Sequence, residues 1–186
     1  MAEEYRIKGS SIRGKLDYIR ESFGEDAEFE VKELLSNLGV VLILESDWYD
    51  HRIYENLNQF LAQRFFKGDI SKLVDVGIFS ANRALSSTYR AYLERGDFVR
   101  FLQRLASLHS RFFSHGDMEV LTAPDEKSCQ IHLSGAPSYP KADMQIAVGF
   151  YIGAGHAFGL EKIEHQVQHR FGGVRFLLQW QDHRVP

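Results

Sequence analysis

The sequence predicts an α+β fold, an N-terminal helical half followed by β-β-α-β-β with an antiparallel sheet. Three observations carry this. Apolar residues recur at helical spacing from Ile12 to Phe112. After His115-Gly116 the period falls to two. Between two strand pairs lies one apolar, glycine-rich segment, Ala142 to Leu160, long enough for a buried helix. Strands joined by short turns pair antiparallel, because a parallel pair needs a crossover of a dozen residues or more.

The elements follow in order. Ile12, Leu16, Ile19 and Phe23 make the first helical stripe, with Ser10-Ser11 as caps and Gly24 as the stop. A second helix follows Asp26, with Phe29, Leu34, Leu35 and Leu38 inward and Gly39 closing it. Val40 to Leu44 fits a buried strand or a helical continuation equally well. Asp47-Trp48-Tyr49-Asp50 reads as a turn and cap before a helix carrying Ile53, Leu57, Phe60 and Leu61. Gly68-Asp69 opens a helix with Leu73, Val74, Gly77, Ile78, Ala81 and Leu85 on one stripe, broken near Ser86-Ser87. Gly96-Asp97 starts another, with Phe98, Phe101, Leu102, Leu105, Leu108 and Phe112.

In the second half Met118, Val120 and Thr122 alternate with Glu119 and Leu121. Across a Pro124-Asp125-Glu126-Lys127 turn, Cys129, Ile131 and Leu133 alternate with Gln130, His132 and Ser134. Ile163, His165, Val167 and His169 alternate after the glycine-rich segment, and Gly172-Gly173 turns the chain into Val174, Phe176, Leu178 and Trp180. Residues 1–186 read as a single domain, with the helical half at about 7–115 and the sheet-plus-helix half at about 117–181.

Composition narrows the function classes. With 44% hydrophobic and 25% charged residues the chain is an ordinary globule, neither disordered nor fibrous. A net charge of −3 provides no global field for nucleic acid. The opening MAEEYRIKGSS has no apolar core of a secretory signal, and Val40 to Leu44 is far too short for a bilayer, so no membrane insertion is expected and the cytoplasm is the expected compartment. The single Cys129 cannot form an internal disulfide or build a Cys-based zinc site. The unusual feature is aromatic: 14 Phe beside 8 Tyr.

Chemical motifs are sparse. Gly153-Ala-Gly155-His-Ala-Phe-Gly159 resembles a phosphate-binding glycine loop, but it stands outside any βαβ unit. Gly149, Gly153 and Ala157, four apart, fit better a small-residue stripe that lets another element pack closely. Eight His suggest metal, yet His156, His165 and His169 have no H-E-x-x-H, acidic cluster or Cys partner. No residue pattern pairs a nucleophile with a base, and Cys129 sits in a strand as a small hydrophobe, so an enzyme is not expected. His109 is the exception, because its spacing from Leu102, Leu105 and Phe112 turns it with the apolar stripe. There it can be a hydrogen-bonded core residue or a proximal haem ligand.

Several motifs in sequence order resemble the haem–nitric-oxide/oxygen-binding (H-NOX) domain superfamily, which also holds the four-vinyl-reductase small-molecule-binding domains. They are Ile19-Arg-Glu-Ser-Phe-Gly24, the aromatic entry Trp48-Tyr49, Phe101-Leu-Gln-Arg-Leu-Ala-Ser-Leu-His109 and the closing strand Phe176-Leu-Leu-Gln-Trp180. The similarity runs from Ile7 to about Trp180, and it implies that His109 occupies the proximal-histidine position. Haem members carry Tyr-x-Ser-x-Arg, whose Ser and Arg grip the propionates; here the stretch reads His132-Leu-Ser134-Gly-Ala136. The missing arginine implies a non-haem member.

The expectation is therefore a non-enzymatic sensory or regulatory domain that binds a small, largely apolar molecule and signals through a protein partner or a homodimer. Phe101, Leu105, His109, Phe150, Phe158 and Phe176 are the expected ligand-binding residues, with no metal and no cofactor unless His109 holds haem. Two alternatives stand beside it. One is an interaction or scaffold domain resembling trafficking-particle subunits, with the glycine-rich helix in a dimer interface. The other is a haem-based gas sensor with His109 as proximal ligand.

Overall fold

The structure is a computed structural model and describes residues 5–87, 89–93, 97–123, 127–136 and 138–182. Strand β1 (Arg6–Lys8) leads into helices α1 (Gly9–Phe23) and α2 (Glu25–Asn37). Strand β2 (Trp48–Asp50) precedes α3 (His51–Phe66), and a 3₁₀ turn (Ile70–Lys72) precedes α4 (Leu73–Ser86). Then come α5 (Arg90–Leu93), α6 (Phe98–Leu108) and a second 3₁₀ turn (His109–Arg111). Strands β3 (Asp117–Thr122) and β4 (Ser128–Ser134), helix α7 (Lys141–Ala157), and strands β5 (Leu160–Arg170) and β6 (Gly173–Asp182) complete the chain.

Local signals explain most boundaries. Gly24, at φ 93°, ends α1. The side chains of Asp50, Asp69 and Asp97 accept hydrogen bonds from the amides of Arg52, Ser71 and Arg100, capping α3, the first 3₁₀ turn and α6. Ser10-Ser11 does not cap α1, which starts at Gly9 with no side-chain cap. In α2, Leu35 is buried and Leu34 half-buried as expected, but Phe29 and Leu38 are exposed, and Ala27 and Val31 complete the inward stripe instead. Residues 40–44 form neither strand nor helix. The turn at Pro124-Asp125-Glu126 and Gly96 lie outside the described residues.

The four-stranded sheet is antiparallel throughout, in the order β3-β4-β6-β5. Its buried face carries Cys129, Ile131, Val174, Phe176, Leu178 and Trp180, packed with Phe98, Phe101 and Leu102 of α6 and Val148, Tyr151 and Ala154 of α7. A second core, centred on Ile12, Leu16, Ile19, Leu57, Leu61 and Leu73, fills the helical half and reaches Ala142 and Ile146. Helix α7 thus belongs to both cores.

Glycine makes this double membership feasible. A Cβ on Gly77 would collide with the Ile146 carbonyl, one on Gly149 with the Val74 carbonyl, and one on Gly153 with the Ile78 backbone. Helices α4 and α7 therefore cross backbone to backbone. The small-residue stripe is consumed inside the chain, which removes Gly149 and Gly153 from the expected dimer interface. Ala157 is exposed.

One short ladder escaped the sequence reading. β1 pairs antiparallel with β2, and Ile7 bridges to Phe113. Lys8 N donates to Phe112 O, Ser114 N to Arg6 O, and His51 N to Tyr5 O. These bonds bring the start of α3 and the segment after α6 to one place.

Candidate functional site

A cavity of about 700 Å³ opens between the helical half and the sheet, within the size range of small-molecule sites. Its apolar wall comes from Leu105 and Phe112, Met118 and Leu133, and Met144, Ala147, Phe150 and Tyr151. Its polar wall carries Lys15, His51, Tyr54, His115 and Asp143. The interior is two-faced rather than simply apolar.

Of the expected lining residues, Leu105, His109 and Phe150 border this cavity. Phe101, Phe158 and Phe176 do not. Phe101 and Phe176 are at most 1% exposed; the Phe101 and Phe158 rings meet at 5.3 Å, and Phe176 meets Tyr151 at 5.4 Å. Neighbouring rings flank all three side chains: Phe101 and Phe176 are core, and the half-buried Phe158 packs against that core.

His109 enters at the end of α6, where the chain tightens into the 3₁₀ turn. Its ring stacks on Phe113 with centroids 4.8 Å apart and planes 14° from parallel. Burial lowers its pKa, while a hydrogen bond to the His115 backbone and the nearby Asp117 charge pull it the other way. The ring is therefore held neutral near pH 7, the form that offers a lone pair.

The polar wall is a network that periodicity alone did not pick out. Lys15 is 3% exposed and lies 3.7 Å above the Tyr54 ring. Its amine gives a hydrogen bond to Ser11 O at 3.3 Å. Burial pulls its pKa down to about 7, against the raising effect of Asp143. Asp143, 7% exposed, accepts from Asn58 Nδ2 at 2.7 Å and lies 3.9 Å from His51 Nε2. Burial pushes its carboxyl pKa up. His51 also meets Glu55 at 3.5 Å and the His115 ring at 4.8 Å. Burial, together with His51 and His109, pushes His115 down to about 4.

The missed signal was a polar residue on an apolar face. Lys15 follows Ile12 by three, Asn58 precedes Leu61 by three, and Asp143 lies three before the buried Ile146. Elsewhere, Gly153 and Gly155 are helical inside α7, so no glycine loop exists there to cradle a phosphate. His156, His165 and His169 are exposed, and among the described residues no group of three or more His, Cys, Asp or Glu could hold a metal ion. Cys129 is buried, its thiol pushed up to about 12. Among the described residues no helix is long and apolar enough to cross a membrane.

No family model and no curated protein matches the chain. Solved structures do. An H-NOX protein from S. oneidensis in the Fe(II)NO ligation state superposes with a TM-score of 0.73 at 16% identity, covering 95% of this chain and 100% of that one. An oxygen-binding H-NOX domain related to soluble guanylate cyclases gives 0.70 at 16%, covering 95% and 96%. An unliganded Fe(II) H-NOX variant from K. algicida gives 0.72 at 13%, covering 96% and 98%. At such low identity the shared property is the path of the backbone: over nearly its whole length, this chain has the H-NOX fold.

Proposed function

We propose that this chain is a non-enzymatic, ligand-binding sensor domain that takes a small molecule into the cavity between its helical half and its sheet. The observation that supports it is the 700 Å³ cavity, walled by both halves at the place where α7 joins the two cores. A molecule bound there touches α1, α3, α6, α7 and the sheet together, so it can bias how the halves pack. The segment 40–44 beside the α1 end of the cavity exposes Val41, Leu42 and Leu44, at 90%, 67% and 47%. These residues suit a contact with a partner protein or a second copy. The buried, unactivated Cys129 argues against nucleophilic catalysis.

His109 favours a second reading, haem. Its neutral ring borders the cavity and would hold the iron, and bound iron would supply the gas-binding position. The iron end fits; the propionate end fits less well. Ser134 borders the cavity, but Ala136 occupies the arginine position and Arg83 is engaged by Asp17. Among gas-sensing folds the ligand would then be a diatomic molecule; without haem it is an organic one.

An absorption spectrum with haemin titration separates the two. Under the haem reading a Soret band appears and is lost in His109→Ala. Under the non-haem reading haemin leaves no specific band, while native mass spectrometry or a ligand screen finds a molecule that raises the melting temperature. A protein that takes up neither sinks the sensor proposal.

A further inference from the structure

The polar wall lies at one end of an apolar channel. On α7, Asp143, Ala147 and Phe150 all border the cavity at helical spacing. Seven residues at 1.5 Å each put the Asp143 end about 10 Å from the Phe150 end. At the Asp143 end two side chains lack partners that their chemistry calls for. The Lys15 ammonium has three donors and is almost fully buried. Among the described residues its one hydrogen bond is to Ser11 O, and Asp143 acts on it from beyond ion-pair contact. His115 Nδ1 is buried with no hydrogen-bond partner. Beyond the Tyr54 ring and Ser11 O nothing among the described residues holds this amine, and burial draws its pKa down to about 7, so an anion bound beside it would restore the charged form.

Resting on the cavity reading above, we propose that this end is the head-group site of an amphipathic organic acid, whose carboxylate pairs with Lys15 Nζ and whose hydrocarbon tail runs along α7 toward Phe150. The carboxylate supplies the acceptors that Lys15 lacks, and His115, whose buried Nδ1 has no hydrogen-bond partner among the described residues, borders the same cavity. The first turn of α7, which borders the same end, adds the positive pole of a helix of 17 residues. Asp143 borders the same end, where burial raises its carboxyl pKa and the Asn58 amide at 2.7 Å and the His51 ring at 3.9 Å offset its charge. Arg83, the other cation on the wall, is held by Asp17 and lies 3.7 Å from Glu45. An alcohol of equal length would fill the tail channel without completing the cation. An amine would set a second positive charge beside Lys15.

Titration calorimetry of the full chain with octanoate, 1-octanol and octylamine tests this. The expected result is octanoate binding at least tenfold more tightly than octanol, with octylamine weakest. In Lys15→Met the preference for octanoate disappears, while octanol affinity stays within about twofold. Equal affinities for octanoate and octanol, tighter binding of the amine, or a Lys15→Met protein that keeps its preference would each overturn the assignment. Should Lys15→Met fail to fold, the octanoate-to-octanol ratio of the unmodified protein decides alone. If none of the three binds but another ligand raises the melting temperature, only the head-group assignment falls. If nothing enters the cavity, the sensor reading falls with it.

Discussion

Phe176 and Phe150 have the same side chain and different duties. Phe176 is 0% exposed, edge-on to Tyr151 in the sheet core, whereas Phe150 is half-buried on the cavity wall. Phe176→Ala removes a fully packed ring and is expected to lower stability by about 3–5 kcal/mol, read by urea unfolding. Phe150→Ala should cost clearly less, because part of its ring faces open space, and should instead weaken whatever ligand the cavity takes. A Phe176 variant as stable as the native chain would contradict this placement. Residue spacing cannot make the distinction. Phe101, Leu105 and His109 repeat every fourth position on one stripe, and only the neighbouring chain segments decide which of them meets a filled core.

At the scale of elements, capping aspartates were the legible part. Asp50 and Asp97 signal the starts of α3 and α6 through a side-chain oxygen placed one turn ahead of the orphan amides, which is local chemistry. β1 and β2 were not legible, because three residues carry no period and their hydrogen bonds depend on each other and on Phe113. The crossing of α4 and α7 gives the clearest test at this scale. Gly149→Ala drives a methyl group into the Val74 carbonyl and should cost about 1–3 kcal/mol or more. Gly14→Ala, in the interior of α1, brings its Cβ no nearer than 3.8 Å to Ser80 Oγ and should be neutral or stabilising by up to about 1 kcal/mol. Thermal melts of the two variants check the contrast, and equal losses would refute the close crossing.

Across the whole molecule, α7 is the beam that both cores share, and the cavity is what remains where the halves do not quite meet. The histidines at that junction make stability depend on pH. His115 and His109 both have folded pKa values below the ordinary 6.5 or so, His115 at about 4. Between about pH 4 and 6.5 these two histidines bind more protons in the unfolded chain than in the folded one, so their contribution makes stability rise with pH through that window, while the raised carboxyl of Asp143 acts in the opposite sense. Below about pH 4 the penalty is fully present. Urea midpoints measured from pH 4 to 7 should climb, and His115→Asn should flatten part of the climb. The idea fails if the native and variant profiles have the same slope.

The sequence by itself determined the α+β order, most helix limits and the antiparallel hairpins, because caps, turn glycines and periods of 3.6 and 2 act over a few neighbouring residues. It also brought His109 onto an apolar face and carried the likeness to the H-NOX fold. Only the tertiary structure decided that Phe101 and Phe176 are core with Phe158 packed against it, that the glycines of α7 are spent against α4, and that Lys15, His51, His115 and Asp143 meet at one end of a cavity, with Asn58 behind Asp143. Those facts depend on distances between segments up to about 130 residues apart in the chain, which no local pattern encodes.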